Sequence, residues 1–343
     1  MDIQELGYTL SPENVVGTPR ELRLGRRDLG RMLKVDRASG EISDSAVTDL
    51  PALLSPGDVV VLNNSKRIPG VLHGRTEFGG KVELRFVDLD LEDGAGLCRV
   101  FPMHDVRPGG IIALRSGGTV RVDAMHLTQY GLARVSGQAG TVRELLREQG
   151  TPILGFFYDG LWEPQHLNPY YAEVEGSVES PLAGLHFTRE LVKELEQAGI
   201  EVCFVTLHSV GSWLPFLESS AEDHEMWPEH FRVPPETAAS VNRAKKAGKR
   251  VIACGSTSLR ALEAAVDEAG SVQPVEGRTS LYAYPGFQFR AINGFFTNFH
   301  QQQTSLIVLD CAFAGQSLVM RAYREAARRG YEFYEFGDAV LYL

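Results

Sequence analysis

Cysteine is scarce in this 343-residue chain: Cys98, Cys203, Cys254 and Cys311 lie far apart, and none stands in a CxxC pair. That spacing argues against a disulfide scaffold and a thiolate metal site, and leaves reduced, buried thiols as the expectation. Long apolar runs are missing as well, so no segment reads as a membrane span. The opening MDIQELGYTL lacks the basic stretch followed by an apolar one that marks a secretory leader, and a cytoplasmic protein is expected. Positive charge is in deficit: 34 Lys and Arg against 44 Asp and Glu leave a net charge of −10. Broad, non-specific nucleic-acid binding needs the opposite balance. A local basic patch would still suit an RNA. The basic clusters are Lys66-Arg67, Lys245-Lys246 with Lys249-Arg250, and Arg328-Arg329, the last two reading as solvated ends of elements. Two motifs are absent, the GxxxxGK[ST] phosphate loop and the helical HExxH zinc pair.

What is present has two textures. Gly57-Asp58-Val59-Val60-Val61-Leu62-Asn63-Asn64 reads as a turn, a buried strand and a polar strand end. From about Pro69 to Gly140, short runs such as KVELRFVD, IIALRS and TVRVDAM are punctuated by Gly79-Gly80, Gly109-Gly110 and Gly117-Gly118. Short strands with glycine turns predict a small β-barrel or sandwich, left by a helix over TVRELLREQ. Beyond about residue 185, strands and helices alternate. Thr188 caps RELVKELEQA, IEVCFVTL follows, Pro234-Pro235 opens ETAASVNRAKKA, and RVIAC feeds Gly255-Ser256-Thr257-Ser258 and LRALEAAVDEA. The fold class is therefore α/β: an α/β domain, residues 1–68 and 151–343, with an inserted small β-barrel domain, residues 69–150. Asn63-Asn64, His208, the GSTS turn, Asn298 and His300 then gather at the C-terminal ends of strands, where such sheets bind ligands.

Each candidate group has a bland alternative. The GSTS turn and Arg260 suit an anion at a helix N-terminus, but Ser256, Thr257 or Ser258 would equally serve as a plain cap. His186, His208, His224 and His300 follow apolar segments and fit acid–base work or substrate hydrogen bonding better than zinc, since no pair has ligand spacing. Tyr282-Ala283-Tyr284-Pro285-Gly286-Phe287 offers aromatic faces for a base or a cation, or else a core hairpin turn. Asp338 is either a turn residue or a buried carboxylate.

Taken in order, the motifs cohere. They are Asn63-Asn64-Ser65-Lys66 with Ile68-Pro69, Ala183-Gly184-Leu185-His186-Phe187, Val205-Thr206-Leu207-His208, Asp223-His224-x-Met226-x-x-Glu229, and Gly255-Ser256-Thr257-Ser258-Leu259-Arg260. Tyr284-Pro285-Gly286-Phe287, Thr297-Asn298-Phe299-His300, Ala312-Phe313-Ala314-Gly315 and Gly337-Asp338-Ala339 complete the set. Over nearly its whole length the chain resembles the S-adenosylmethionine:tRNA ribosyltransferase-isomerase family of queuosine biosynthesis. The resemblance implies an α/β barrel-like domain with an inserted β-barrel. It also implies S-adenosylmethionine as a ribosyl donor, no metal, and tRNA bearing a 7-aminomethyl-7-deazaguanine as acceptor. The implied products are epoxyqueuosine in tRNA, adenine and methionine. A sulfonium acidifies its neighbouring carbons, and departing adenine is helped by a proton. His186, His208, His224, Glu229 and Asp338 are the candidates for those roles. For binding, Arg260 with Ser256, Thr257 and Ser258 would clamp a carboxylate or ribose, Tyr284 and Phe287 would wall the adenine or sulfonium, and Asn63, Lys66, Asn298 and His300 would hold polar edges.

The chain also departs from that family's pattern. Ala-Arg-Leu is Gly70-Val71-Leu72, a threonine is Leu182, and a segment with tyrosines and a glutamine is Asn168-Pro169-Tyr170-Tyr171. The glycine-rich run after Leu207-His208 is shortened to Ser209-Val210-Gly211-Ser212-Trp213-Leu214, His-Ser is Trp227-Pro228, and Leu-Pro-x-Ser is Gln301-Gln302-Gln303-Thr304. Loss of hydrogen-bonding groups changes which acceptor a cleft holds. A paralogue with a small-molecule acceptor or none, and a non-catalytic S-adenosylmethionine-binding protein, are the alternatives.

Overall fold

The segment Val59–Asn63 is buried at every position, as a strand covered on both faces must be. A computed structural model of the chain describes residues 1–89, 91, 93–126, 130–155, 158–211 and 220–343. In it Val59–Asn63 lies within a nine-stranded sheet, paired in parallel with Glu201–Leu207 on one side and Val251–Cys254 on the other. Gly294–Asn298 continues the parallel run beyond Val251–Cys254. Glu229–Val233 and Val275–Thr279 extend one edge in antiparallel fashion. Ala339–Tyr342, Arg31–Val35 and Ile42–Ala46 complete the other.

Because side chains alternate along a strand, Val59 and Val61 enter one core and Val60 and Leu62 another. The first core receives Val241, Leu259, Val308 and Tyr323 from the helices Pro235–Lys246, Gly255–Ala264, Ser305–Ala314 and Gln316–Arg328. The second receives Leu191 and Leu195 from Arg189–Gln197, whose N-terminus is capped by Thr188 accepting from the Leu191 N–H. All four cysteines are free and buried. Among the described residues no single helix is long and apolar enough to cross a membrane.

The glycine-punctuated segment closes into a barrel in the order Leu132–Gly137, Gly96–Phe101, Lys81–Asp88, Val71–Thr76, Ile111–Leu114 and Thr119–His126. Its interior holds Leu72, Leu84, Phe86, Val100, Val120 and Val135. The helix Val142–Gln149 leads out, opened by a capping box between Thr141 and Glu144. Entry and exit chains meet at a neck, where Gly70 N–H donates to the Thr151 carbonyl at 3.1 Å and Thr151 N–H to the Val71 carbonyl at 2.9 Å. Of the departures noted in the sequence, Ser212, Trp213 and Leu214 lie outside the described residues.

The neck leaves no room for a side chain at Gly150: a Cβ there would sit 2.4 Å from the Leu146 carbonyl oxygen and 2.7 Å from Pro69 Cβ. Gly150→Ala is expected to destabilise the protein by about 1–3 kcal/mol, as overpacking does, read as a lowered midpoint in urea unfolding.

Candidate functional site

The parallel strands Val59–Asn63, Glu201–Leu207, Val251–Cys254 and Gly294–Asn298 end on one edge of the sheet, and the polar residues just past them meet there. The helix expected to begin at Leu259 begins instead at Gly255, which takes a left-handed φ of 80° and turns the chain straight from strand into helix. Its N-cap position is Cys254, with no side-chain cap hydrogen bond. The hydroxyls of the GSTS turn are thus not used for capping. Ser256 and Thr257 are partly buried, whereas Ser258 is fully buried and its Oγ has no partner.

One turn further on, Arg260 is 5 % exposed and pairs through Nη1 with Glu229 Oε2, while its Nε donates to the Leu281 carbonyl at 2.9 Å. Its Nη2 is enclosed and unpartnered. The other oxygen of Glu229 accepts the Val210 N–H at 2.8 Å. Two residues before Val210, His208 is buried with Nδ1 2.7 Å from Ser65 Oγ, which is 2.6 Å from Ser177 Oγ. The His208 ring stacks on that of His230, centroids 5.6 Å apart. Nearby, a narrow cleft is lined by Tyr130, Gly211, His224, Trp227 and Glu229. His224 meets the ring of Tyr282 edge-on at 5.4 Å, and Tyr282 lies 5.6 Å from Tyr284. Tyr284 thus stands beside His224 through Tyr282, whereas Phe287 turns toward the core against Phe289 at 4.9 Å.

A second group surrounds His186. This imidazole is buried edge-on to Phe296. Burial pushes it down to about 3, with the Arg20 guanidinium adding and the neighbouring Asn298 opposing. It is therefore neutral throughout the ordinary working range. Asp338 is a buried carboxylate, not a solvent-facing turn residue: Arg20 Nη1 donates to its Oδ1 at 2.9 Å, and Arg31 and Glu332 N–H groups donate to its two oxygens. Burial raises its pKa, with Arg20 working against the rise. Asn298 donates to the Tyr334 carbonyl at 3.1 Å, and its side chain faces the His186 imidazole.

Other candidates face elsewhere. Asn63 bridges strand ends, donating to the Leu207 carbonyl at 2.9 Å and accepting from the Ser65 and Leu207 N–H groups. Lys66 is partly exposed and pairs with Glu175 at 3.3 Å. His300 belongs to a buried network, with Nδ1 3.4 Å from Asp310 and its N–H donated to Tyr323 OH at 3.0 Å. The glutamine run turns to the N-terminal segment, where Gln302 Oε1 accepts the Tyr8 N–H at 3.2 Å, and Thr304 holds the N-cap position of Ser305–Ala314. Among the described residues no cluster of His, Cys, Asp or Glu is arranged to hold a metal ion. Residues that the sequence did not single out also enter the site: Ser65, Ser177, His230 and Arg20. Of these, Ser65 stood inside a quoted motif, and only its contact with His208 reveals its part.

A family model described as queuosine biosynthesis protein matches residues 3–342. An S-adenosylmethionine:tRNA ribosyltransferase-isomerase of Symbiobacterium thermophilum is 38% identical over 351 residues, with 100% of both chains covered. One of Carboxydothermus hydrogenoformans is 36% identical, with 99% of both covered. Among solved structures, an S-adenosylmethionine tRNA ribosyltransferase from Thermotoga maritima superposes with a TM-score of 0.55 at 29% identity, covering 99% of this chain and 100% of that one.

The buried state of His186 has a measurable consequence. Unfolding frees the imidazole to bind a proton near its ordinary 6.5, whereas the folded protein resists until about 3. Stability therefore falls as pH drops through that window. Relative to His186→Gln, the wild-type protein is expected to lose about 1.4 kcal/mol more per pH unit between pH 6 and 4, measured by urea unfolding at each pH.

Proposed function

The chain belongs to the queuosine biosynthesis protein family, and on that premise we propose that it transfers and isomerises the ribosyl group of S-adenosylmethionine onto tRNA. The acceptor in this reading is the aminomethyl group of a 7-deazaguanine base, and adenine and methionine leave. The work is placed where tRNA is found, in the cytoplasm. A single observation carries the assignment of the cofactor end: Arg260 and Ser258, at the start of one helix, each keep an enclosed polar atom without a partner. A buried donor left unpaired carries a large desolvation cost, and the methionine carboxylate of S-adenosylmethionine supplies the missing acceptor. The positive end of the helix favours the same charge.

The contacts also narrow the proton-transfer roles. Glu229 is paired with Arg260 and Asp338 with Arg20, so each carboxylate already neutralises a buried guanidinium. His186 is held neutral and is too weak a base to draw a proton from carbon. His208, oriented by Ser65, and His224, beside Tyr282, remain for drawing the proton from the carbon next to the sulfonium and for assisting adenine's departure. Tyr282 and Tyr284 supply aromatic faces that attract the sulfonium cation.

The test is release of adenine and methionine from S-adenosylmethionine, with and without tRNA carrying the precursor base. Release that requires the tRNA is expected; release without it would instead indicate a small-molecule acceptor or none, and binding without release a non-catalytic protein. Arg260→Lys keeps a positive charge for Glu229 but removes the planar fork. It should weaken S-adenosylmethionine binding by about 10–100-fold, the value of one charge-assisted hydrogen bond, by isothermal titration calorimetry. Unchanged affinity would remove Arg260 from the cofactor site.

A further inference from the structure

A line of buried hydroxyls stands behind His208. Its Nδ1 lies 2.7 Å from Ser65 Oγ, which lies 2.6 Å from Ser177 Oγ, and Ser177 Oγ accepts the Ser209 N–H at 2.9 Å. The strand Ser65–Arg67 runs parallel to Val174–Ser177, so this pairing delivers both hydroxyls to one place. Both serines are fully buried, and bulk solvent does not reach the line. The ring itself is confined. A Cβ on Gly176 would sit 2.5 Å from His208 Cδ2 and Nε2, and the His230 ring lies 20° from parallel to it. The His208 backbone is fixed too, its N–H donating to the His230 carbonyl at 2.9 Å.

Counting hydrogens along this line gives it a direction. Each serine hydroxyl has one hydrogen to donate and can accept two. Among the described residues, the Ser177 hydroxyl hydrogen has a single acceptor within reach, Ser65 Oγ. Donated there, it leaves the Ser65 hydrogen for His208 Nδ1, and every member of the line is satisfied. In the reverse direction His208 Nδ1–H donates to Ser65 and Ser65 to Ser177. The Ser177 hydrogen is then buried without an acceptor, the costlier state. An imidazolium would impose the same reversed line, because both of its nitrogens carry hydrogens. The tautomer follows from the network: Nδ1 accepts, and the one hydrogen of the neutral ring sits on Nε2. We propose that Ser177 and Ser65 are positioning residues that hold His208 as the neutral Nε2–H tautomer, a hydrogen-bond donor, and so leave the withdrawal of the proton beside the sulfonium to His224. This deepens the proposed function and rests on its assignment of His208 and His224 to the reaction.

Neither nitrogen of His208 then has a lone pair for a carbon-bound proton: one is engaged by Ser65 and the other bears the hydrogen. A neutral imidazole in this state still polarises a substrate atom through its N–H, which is how it assists adenine's departure. His224 lines the cleft with Glu229 and Trp227 and stands edge-on to Tyr282, the aromatic side that attracts the sulfonium. Its imidazole takes the proton and becomes an imidazolium, while the C–H electron pair stays on the carbon next to sulfur. Adenine leaves with the electron pair of its bond to the ribose, and the proton held on His224 balances that charge.

Two measurements test this. The first is nitrogen-15 NMR of the histidine rings of the wild-type protein at pH 8, with the His208 ring assigned through its backbone. A single Nε2–H tautomer is expected; an Nδ1–H ring or an imidazolium would overturn the proposal without recourse to any variant. The second is the pH profile of kcat/KM with precursor tRNA. Ser65→Ala removes the donor to Nδ1, and is expected to show a mixture of ring tautomers and to lower kcat by about 10-fold, with the acid limb of the profile unmoved. His208→Gln, which loses one hydrogen bond, should cost about 10–100-fold. His224→Gln, which loses the base, should cost about 100–10,000-fold. A shifted acid limb in Ser65→Ala, or a larger loss in His208→Gln than in His224→Gln, would make His208 the base and overturn the division of roles. Wild-type turnover that requires tRNA upholds the underlying reading whichever way these results fall.

Discussion

Burying a guanidinium is the constraint around which the cleft is arranged. Among the described residues the buried arginines are Arg20, Arg67 and Arg260, each less than a tenth exposed. Desolvating such a charge is tolerable only when carboxylates and carbonyls replace its water. Arg20 is fully served by Asp338, Glu332 and the Phe336 carbonyl, and none of its nitrogens is left enclosed and unpartnered. It ties the N-terminal segment to the strand Ala339–Tyr342, a structural part. Arg67 and Arg260 each keep one open nitrogen. The same residue type therefore divides by satisfaction: the closed guanidinium holds the fold, and on the proposed reading the open nitrogen of Arg260 is met by the cofactor carboxylate.

That distinction was not legible in the sequence, although the fold largely was. Hydrophobic runs bounded by glycine predicted the barrel strands, and Lys81–Asp88 matches KVELRFVD end to end. Thr141 and Thr188 were readable as caps because a hydroxyl before an amphipathic run has few other uses. The GSTS turn misled on helix start, since Gly255 lets the chain enter the helix four residues before the expected Leu259.

Site residues were harder because strand alternation decides which way a polar side chain points, and the ends of strands are where register is least readable. In Ser65–Arg67 the outer residues are buried and Lys66 faces out to Glu175. A sequence reading weighs Lys66 and Arg67 together as one basic cluster, whereas folding gives them opposite environments. Asn63 and His300 stand in motifs like their neighbours, yet one closes backbone hydrogen bonds and the other joins the Asp310–Tyr323 network. Glu335 carried no signal at all. It sits in a turn three residues before Asp338, and its backbone carbonyl is brought to Asn298 only by the pairing of the last two strands.

The open guanidiniums are also joined through one continuous set of contacts, and this orders the chemistry. Ser65 and Arg67 share a face of one short strand, so the residue that orients His208 and a buried guanidinium are delivered together. Two residues past His208, the Val210 N–H holds Glu229, and Glu229 holds Arg260. Val210 itself packs into the barrel core, and Trp227, on the cleft wall, packs against it, so the inserted unit supports the same wall. On the proposed reading the cofactor carboxylate binds at Arg260, and the contacts that run from there through Glu229 to the Val210 N–H lead to the segment that carries His208. His224 is attached instead to the aromatic side at Tyr282, where a leaving adenine or a sulfonium would lie.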